Sequence, residues 1–88
     1  MRKMKKKRVL KLLGRMADAV DKMPDEVRIE RLFVADDGKG LSLERGIEAA
    51  AVTFGKAVKI REWSNGWKIR EFHIGDMTVT QIERMEQI

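Results

Sequence analysis

The chain has 88 residues, 43% of them hydrophobic and 38% charged, a balance that favours one small folded domain over 1–88 rather than a disordered chain. A chain of this length buries only about 60–65% of the surface its unfolded form exposes, so it supports one modest core. It contains no cysteine, which excludes disulfides and thiolate metal sites, and its net charge is +5.

The charge is unevenly placed. Residues 2–15 hold eight of the 19 basic residues and no acid, which leaves 11 bases against 14 acids, or −3, for the remainder. Residues 2–8 form a basic segment that leads into the first predicted helix. The apolar pairs Val9-Leu10 and Leu12-Leu13 are split by Lys11. Nothing here approaches a secretory h-region or the roughly 20 apolar residues of a membrane span. The expected setting is cytoplasmic, with no membrane partner.

Residues 4–22 are predicted helical. Val9, Leu13, Met16, Val20 and Met23 recur at helical spacing, Leu10, Leu12 and Ala17 widen the stripe, and Pro24 ends it. Val27 to Ala35 is a predicted strand in which Val27 and Ile29 share one phase and Leu32 and Val34 the other. That break calls for a bulge near Glu30-Arg31 or for cover on both faces. Asp36 to Gly40 is a turn cluster, and Leu41 and Leu43 begin a returning strand, with Val34 set opposite Leu41. Glu44 to Phe54 is a second predicted helix closed by Gly55; its Ala50 and Ala51 let it lie close to a sheet.

Residues 57–82 predict a three-stranded meander. A three-residue loop, Ser64-Asn65-Gly66, pairs Trp63 with Trp67, Glu62 with Lys68 and Lys59 with Glu71, whereas a two-residue loop sets Arg61 against Arg70. The turn Gly75-Asp76 then pairs Ile74 with Met77 and Phe72 with Val79. The registers agree on a core face of Val58, Ile60, Phe72, Ile74, Met77 and Val79. The opposite face carries Lys59, Arg61, Trp63, Trp67, Ile69, Glu71, His73, Thr78 and Thr80. Thr80 and Glu83 have capping-box spacing, which predicts a terminal helical turn. The expected fold is α+β, in the order α-β-β-α-β-β-β, with one mainly antiparallel sheet ending in the meander. The second helix is expected over the core face; the first either joins it or covers the tryptophans.

No catalytic or metal signature is present. His73 is the sole histidine, the carboxylate pairs lack a concave setting, and Asp36 to Gly40 lacks the spacing of a phosphate loop. The expectation is a non-enzymatic chain without cofactor or metal. Two surfaces are candidates for binding. Lys59, Arg61, Trp63, Trp67 and Ile69 form a face suited to a protein partner or a second copy. Lys3, Lys5, Lys6, Lys7, Arg8, Lys11 and Arg15 form a polyanion-binding candidate, and nucleic acid is the alternative partner. Cations at a helix N-terminus oppose the macrodipole, and a bound polyanion relieves that conflict.

Four short pieces, Met16-Ala17-Asp18, Met23-Pro24-Asp25-Glu26-Val27, Arg61-Glu62-Trp63 and Phe72-His73-Ile74-Gly75, are arranged as a helix ending at Pro-Asp, a strand, a second helix and an aromatic meander. This layout resembles that of short proteins encoded in prophage regions of Gram-positive bacteria. The resemblance implies a mobile-element setting and carries no activity or binding residue with it. The long Lys/Arg start departs from the pattern.

Overall fold

The computed structural model describes residues 5–35, 38–64 and 66–84, apart from the side chains of Ala35, Trp63, Ser64 and Arg84. Its elements are α1 (Lys6–Lys22), β1 (Arg28–Ala35), β2 (Gly38–Arg45), α2 (Ile47–Thr53), β3 (Lys59–Ser64), β4 (Trp67–Ile74) and β5 (Met77–Arg84). The strands form one sheet in the order β1-β2-β5-β4-β3. The pairs β1–β2, β3–β4 and β4–β5 are antiparallel, and β2–β5 is parallel. The sheet is therefore mixed, which corrects the expectation of a mainly antiparallel one. The reason is parity: α2 carries the chain back along the sheet, so β3 starts parallel to β2. Two hairpin reversals then leave β5 parallel to β2 as well.

Both helices lie on the same face. Met16 and Ala19 of α1 and Ile47, Ala50 and Ala51 of α2 pack with Leu41, Leu43, Phe72, Met77 and Val79 in one core. The α1 stripe is turned from the predicted one: Leu12, Met16 and Ala19 are buried, while Leu10 and Leu13 are exposed. Leu12 and Leu13 are adjacent, so periodicity alone does not choose between them; the sheet beneath does. The Cα envelope is only 19 Å thick, the depth of one sheet and one helix layer.

Helix α2 is short and held at both ends. Gly46 precedes it at φ 95°, and the buried Gln81 side chain accepts a hydrogen bond from the Ile47 N–H at 3.0 Å, doing the work of an N-cap. At the other end Gly55 (φ 64°) donates to Val52 O at 3.1 Å and Lys56 donates to Ala51 O at 2.9 Å. This is the Schellman closure expected of Gly55. Phe54 lies with its ring centroid 6.4 Å from that of Phe72.

The meander registers hold from Glu62↔Lys68 through Lys59↔Glu71, and Gly66 is left-handed at φ 78°. Next to the turn the pairing differs: Ser64, not Trp63, is opposite Trp67, with the register shift between Glu62 and Ser64. The second hairpin pairs Ile74↔Met77 and Phe72↔Val79 as expected. Strand β5 runs on to Arg84, so the residues with capping-box spacing lie in a strand. The bulge anticipated near Glu30 is present between Ile29 and Arg31. The first hairpin is tighter than expected: Leu41 faces Leu32, and pairing continues to Ala35↔Gly38. The predicted helix start at Glu44 is corrected to Ile47, because β2 extends to Arg45.

Candidate interaction surfaces

Among the described residues nothing covers the second face of the sheet. Its composition follows from the registers. One row runs Phe33, Gly40, Thr78, His73; the next runs Arg31, Ser42, Thr80, Glu71, Lys59; Ile82, Ile69 and Arg61 follow, and Trp67 lies beyond them on β4. Phe33 is 48% exposed, and Trp67 and Ile82 are each 39% exposed. The middle of the face is floored by the small residues Gly40, Ser42, Thr78 and Thr80. An open depression of ≈ 340 Å³ is lined by Glu30, Arg31, Ser42, Trp67 and Ile82.

Phe33 lies flat over Gly40. A Cβ built on Gly40 would sit 2.2 Å from the Phe33 Cζ, although the Gly40 backbone is not left-handed. The glycine is thus a matter of space: it lets an aromatic ring rest on the sheet.

Lys59 and Arg61 are exposed on this face, and Arg61 Nε donates to Glu71 Oε1 at 3.1 Å. Trp67 is the exposed indole of the expected set. Trp63 lies in β3, and its side chain is outside those described. Ile69 is buried, which corrects its assignment to the contact surface: it packs the sheet and offers a partner little. Phe33 and Ile82 were missed by sequence reasoning. The signal for Phe33 was the phase break at Glu30, after which Arg31 and Phe33 alternate away from the core. Ile82 shares the phase of Thr78 and Thr80 and was legible from the second hairpin. With Glu44, placed here by its phase with Ser42, the charged side chains described on this face are Arg31, Lys59 and Arg61 against Glu30, Glu44 and Glu71; Arg84 stands opposite Trp67 in the register, and its side chain is outside those described.

The basic helix is on the other side of the molecule. Lys5, Lys6, Lys7, Arg8, Lys11 and Arg15 are all exposed. Lys5 occupies the N-cap position without a side-chain cap, and the first turn has no acid. Lys3 lies outside the described residues.

Two ionic groupings lie on the helix side. The nearly buried Lys39 ammonium donates to Asp76, and that hydrogen bond holds the Asp76 carboxyl below its ordinary range. Arg15, Ala19, Lys39, Ile74 and Asp76 border a hollow of ≈ 230 Å³ there. Arg70 pairs with Glu48 at 2.8 Å and Glu83 at 3.1 Å, and its Glu83 partner raises its pKa. Burial pushes the Glu83 carboxyl up, but hydrogen bonds from Arg70 and Gln81 outweigh it and set the net shift downward. These groups fasten α2 and the β4–β5 turn to the sheet. His73 is exposed, with Nδ1 3.3 Å from Thr78 Oγ1. Among the described residues no cluster of His, Cys, Asp and Glu could hold a metal ion, and no helix is long and apolar enough to cross a membrane. No family model, curated protein or solved structure matches the chain, so nothing bears on the resemblance to prophage-encoded proteins.

Proposed function

We propose that the chain is a non-enzymatic interaction module, cytoplasmic in setting, that binds a protein partner on the open face of its sheet. The observation that carries this reading is the one-sided placement of the helices, which leaves Phe33, Trp67 and Ile82 exposed, the last two lining an open depression. Aromatic side chains set in a partly desolvated surface are the usual anchors of protein interfaces. Incorporating a photoreactive benzoylphenylalanine at Thr78, on this face, and separately at Val52, exposed on α2, tests it in cells. Cross-linking to a polypeptide from position 78, lost in a Trp67→Lys background and absent from position 52, is the expected result. Cross-links from position 52 alone would place the binding surface on the helices and sink the reading.

A second reading has its own observation. The start of α1 carries exposed bases, its N-cap Lys5 makes no side-chain cap hydrogen bond and its first turn contains no acidic residue, an arrangement that suits a polyanion such as nucleic acid. Binding to duplex or single-stranded DNA should weaken steeply with salt, and changing Lys5, Lys6, Lys7 and Arg8 together to Gln should flatten that dependence. A salt slope that is the same in both proteins rules the reading out.

A further inference from the structure

We propose that the hollow between α1 and the β4–β5 turn binds a phosphate group, held by the buried Lys39 ammonium and the exposed Arg15 guanidinium that both line it. The site is on the helix side of the molecule and rests on neither reading above.

A period of two places Lys39 on the core face of β2, in phase with Leu41 and Leu43, and its side chain is only 3% exposed. A charge this deep needs its hydrogen bonds satisfied. An ammonium has three N–H donors. Among the described residues the Asp76 carboxylate is its one acceptor, which leaves two hydrogens for whatever fills the hollow. The space measures ≈ 230 Å³. It exists because residue 19 of α1 is an alanine, and Ile74 and Met77 wall it with apolar atoms. Asp36 and Asp37 of the neighbouring turn lie outside the described residues.

Asp76 is suited to give way. Its side chain is 53% exposed, and it belongs to the two-residue turn Gly75-Asp76, so it can swing to solvent without moving a strand. The Lys39 hydrogen bond and, at longer range, the Arg15 charge both lower the Asp76 pKa, so two cations share one anion. Lys11 and Asp18, one turn to either side of Arg15 on α1, carry opposite charges. The choice of ligand follows from the competition. A carboxylate ligand would repeat what Asp76 already supplies from within the chain, where effective concentration favours Asp76. A phosphate group brings roughly −1.5 to −2 charges near neutral pH and three acceptor oxygens. It can serve Lys39 and Arg15 together, and the apolar walls strengthen such charge-assisted bonds.

Thermal melting in phosphate, and in acetate at matched ionic strength, tests the site. Phosphate should raise the wild-type melting temperature more than acetate does. The gain should be larger in Asp76→Asn, where no carboxylate competes. Phosphate also stabilises proteins by exclusion from their surface, and Lys39→Met, which removes the ammonium, should show that baseline gain and no more. Amide resonances of Gly75 and Asp76 should shift saturably with inorganic phosphate, with a midpoint in the millimolar range. Arg15→Gln, at an exposed helix position, should weaken that binding about tenfold, and it serves if Lys39→Met fails to fold. A short oligothymidylate separates the two sources of the group. If it shifts the same amides and displaces phosphate, the site takes a nucleic-acid backbone; if it leaves them unmoved while phosphate shifts them, the site takes free phosphate compounds. Equal phosphate gains in wild type, Asp76→Asn and Lys39→Met, amides that respond to acetate and phosphate alike, or phosphate binding unchanged in Arg15→Gln would each overturn the proposal and leave Lys39 and Asp76 as a fastening pair alone.

Discussion

Substituting Gly40 by Ala perturbs the open face without touching the core. The added Cβ would lie 2.2 Å from Phe33 Cζ and 2.5 Å from Cε1, so the ring must leave its seat. Phe33 is about half covered. With about 200 Å² for a Phe side chain, roughly 100 Å² returns to water if the ring is expelled, an upper cost of about 2.5 kcal/mol at about 25 cal/mol per Å². The backbone itself favours the change, because Ala in a strand is better than Gly by roughly 0.5–1 kcal/mol. Gly40→Ala should therefore destabilise the wild-type chain by about 1–2 kcal/mol. In a Phe33→Ala background, where no ring stands in the way, the same substitution should stabilise by about 0.5 kcal/mol. Urea denaturation of the four proteins, at a concentration low enough for one species, gives the cycle. Equal destabilisation in both backgrounds would refute the account, since it would mean that Gly40 is required for something other than the ring.

Other expectations follow from the ionic groups and from Gly46. Asp76→Asn strands the nearly buried Lys39 ammonium and should lower the melting temperature, whereas Lys39→Met should leave it unchanged or raise it; the reverse order would show that the pair does not act as a unit. Asp76 and Glu83 both have folded pKa values below their ordinary 3.8 and 4.5, so their contribution is complete at neutral pH and is lost as pH falls through those depressed values. Melting temperature should hold between pH 7 and 5 and fall below about pH 4, and Glu83→Gln should make that fall shallower. Gly46→Ala combines a φ of 95° with a Cβ 2.8 Å from Val27 Cα, a backbone clash that cannot rotate away. Left-handed strain alone costs about 1–2 kcal/mol, so the urea midpoint should drop by more than in Gly40→Ala; a smaller drop would show that the α1–β1 link yields easily.

The meander was largely legible because its turns and charges agree. Gly66 and Gly75 mark the reversals, the pairs Glu62–Lys68 and Lys59–Glu71 select the register, and a period of two then separates the faces. Trp63 and Trp67 misled because the match of two indoles outweighed the option of a bulge beside the turn. In the first hairpin, Asp36 to Gly40 looked like one loop, yet Gly38, Lys39 and Gly40 belong to β2. Glycine at 40 signals a ring overhead, which only the folded register reveals. The helix arrangement was beyond local pattern: Leu12 and Leu13 offer two stripes, and the choice depends on where the sheet lies. The parallel relation of β2 and β5 follows from counting reversals, but their adjacency does not, since neighbour choice is a property of the whole sheet. For the candidate surface, Lys59, Arg61 and Trp67 were readable from alternation, Ile82 was readable from the register of the second hairpin, and Phe33 required the bulge.

The parallel pair at the centre of the sheet also bears on how the chain reaches its fold. Strand β5 follows all the other strands in chain order, yet it lies between β2 and β4. In chain order β5 comes last, so the edges of β2 and β4 that it joins gain their partner only when it arrives. Leu41 and Leu43 lack their final neighbours until Met77 to Gln81 arrives. The strand that joins these edges brings long-range contacts and closes the core in one late step, which makes folding slower than the short hairpins alone would suggest. A chain interrupted before Met77 would not be a smaller version of this domain. It would lack the partner of both β2 and β4, and unpaired strand edges of that kind favour aggregation.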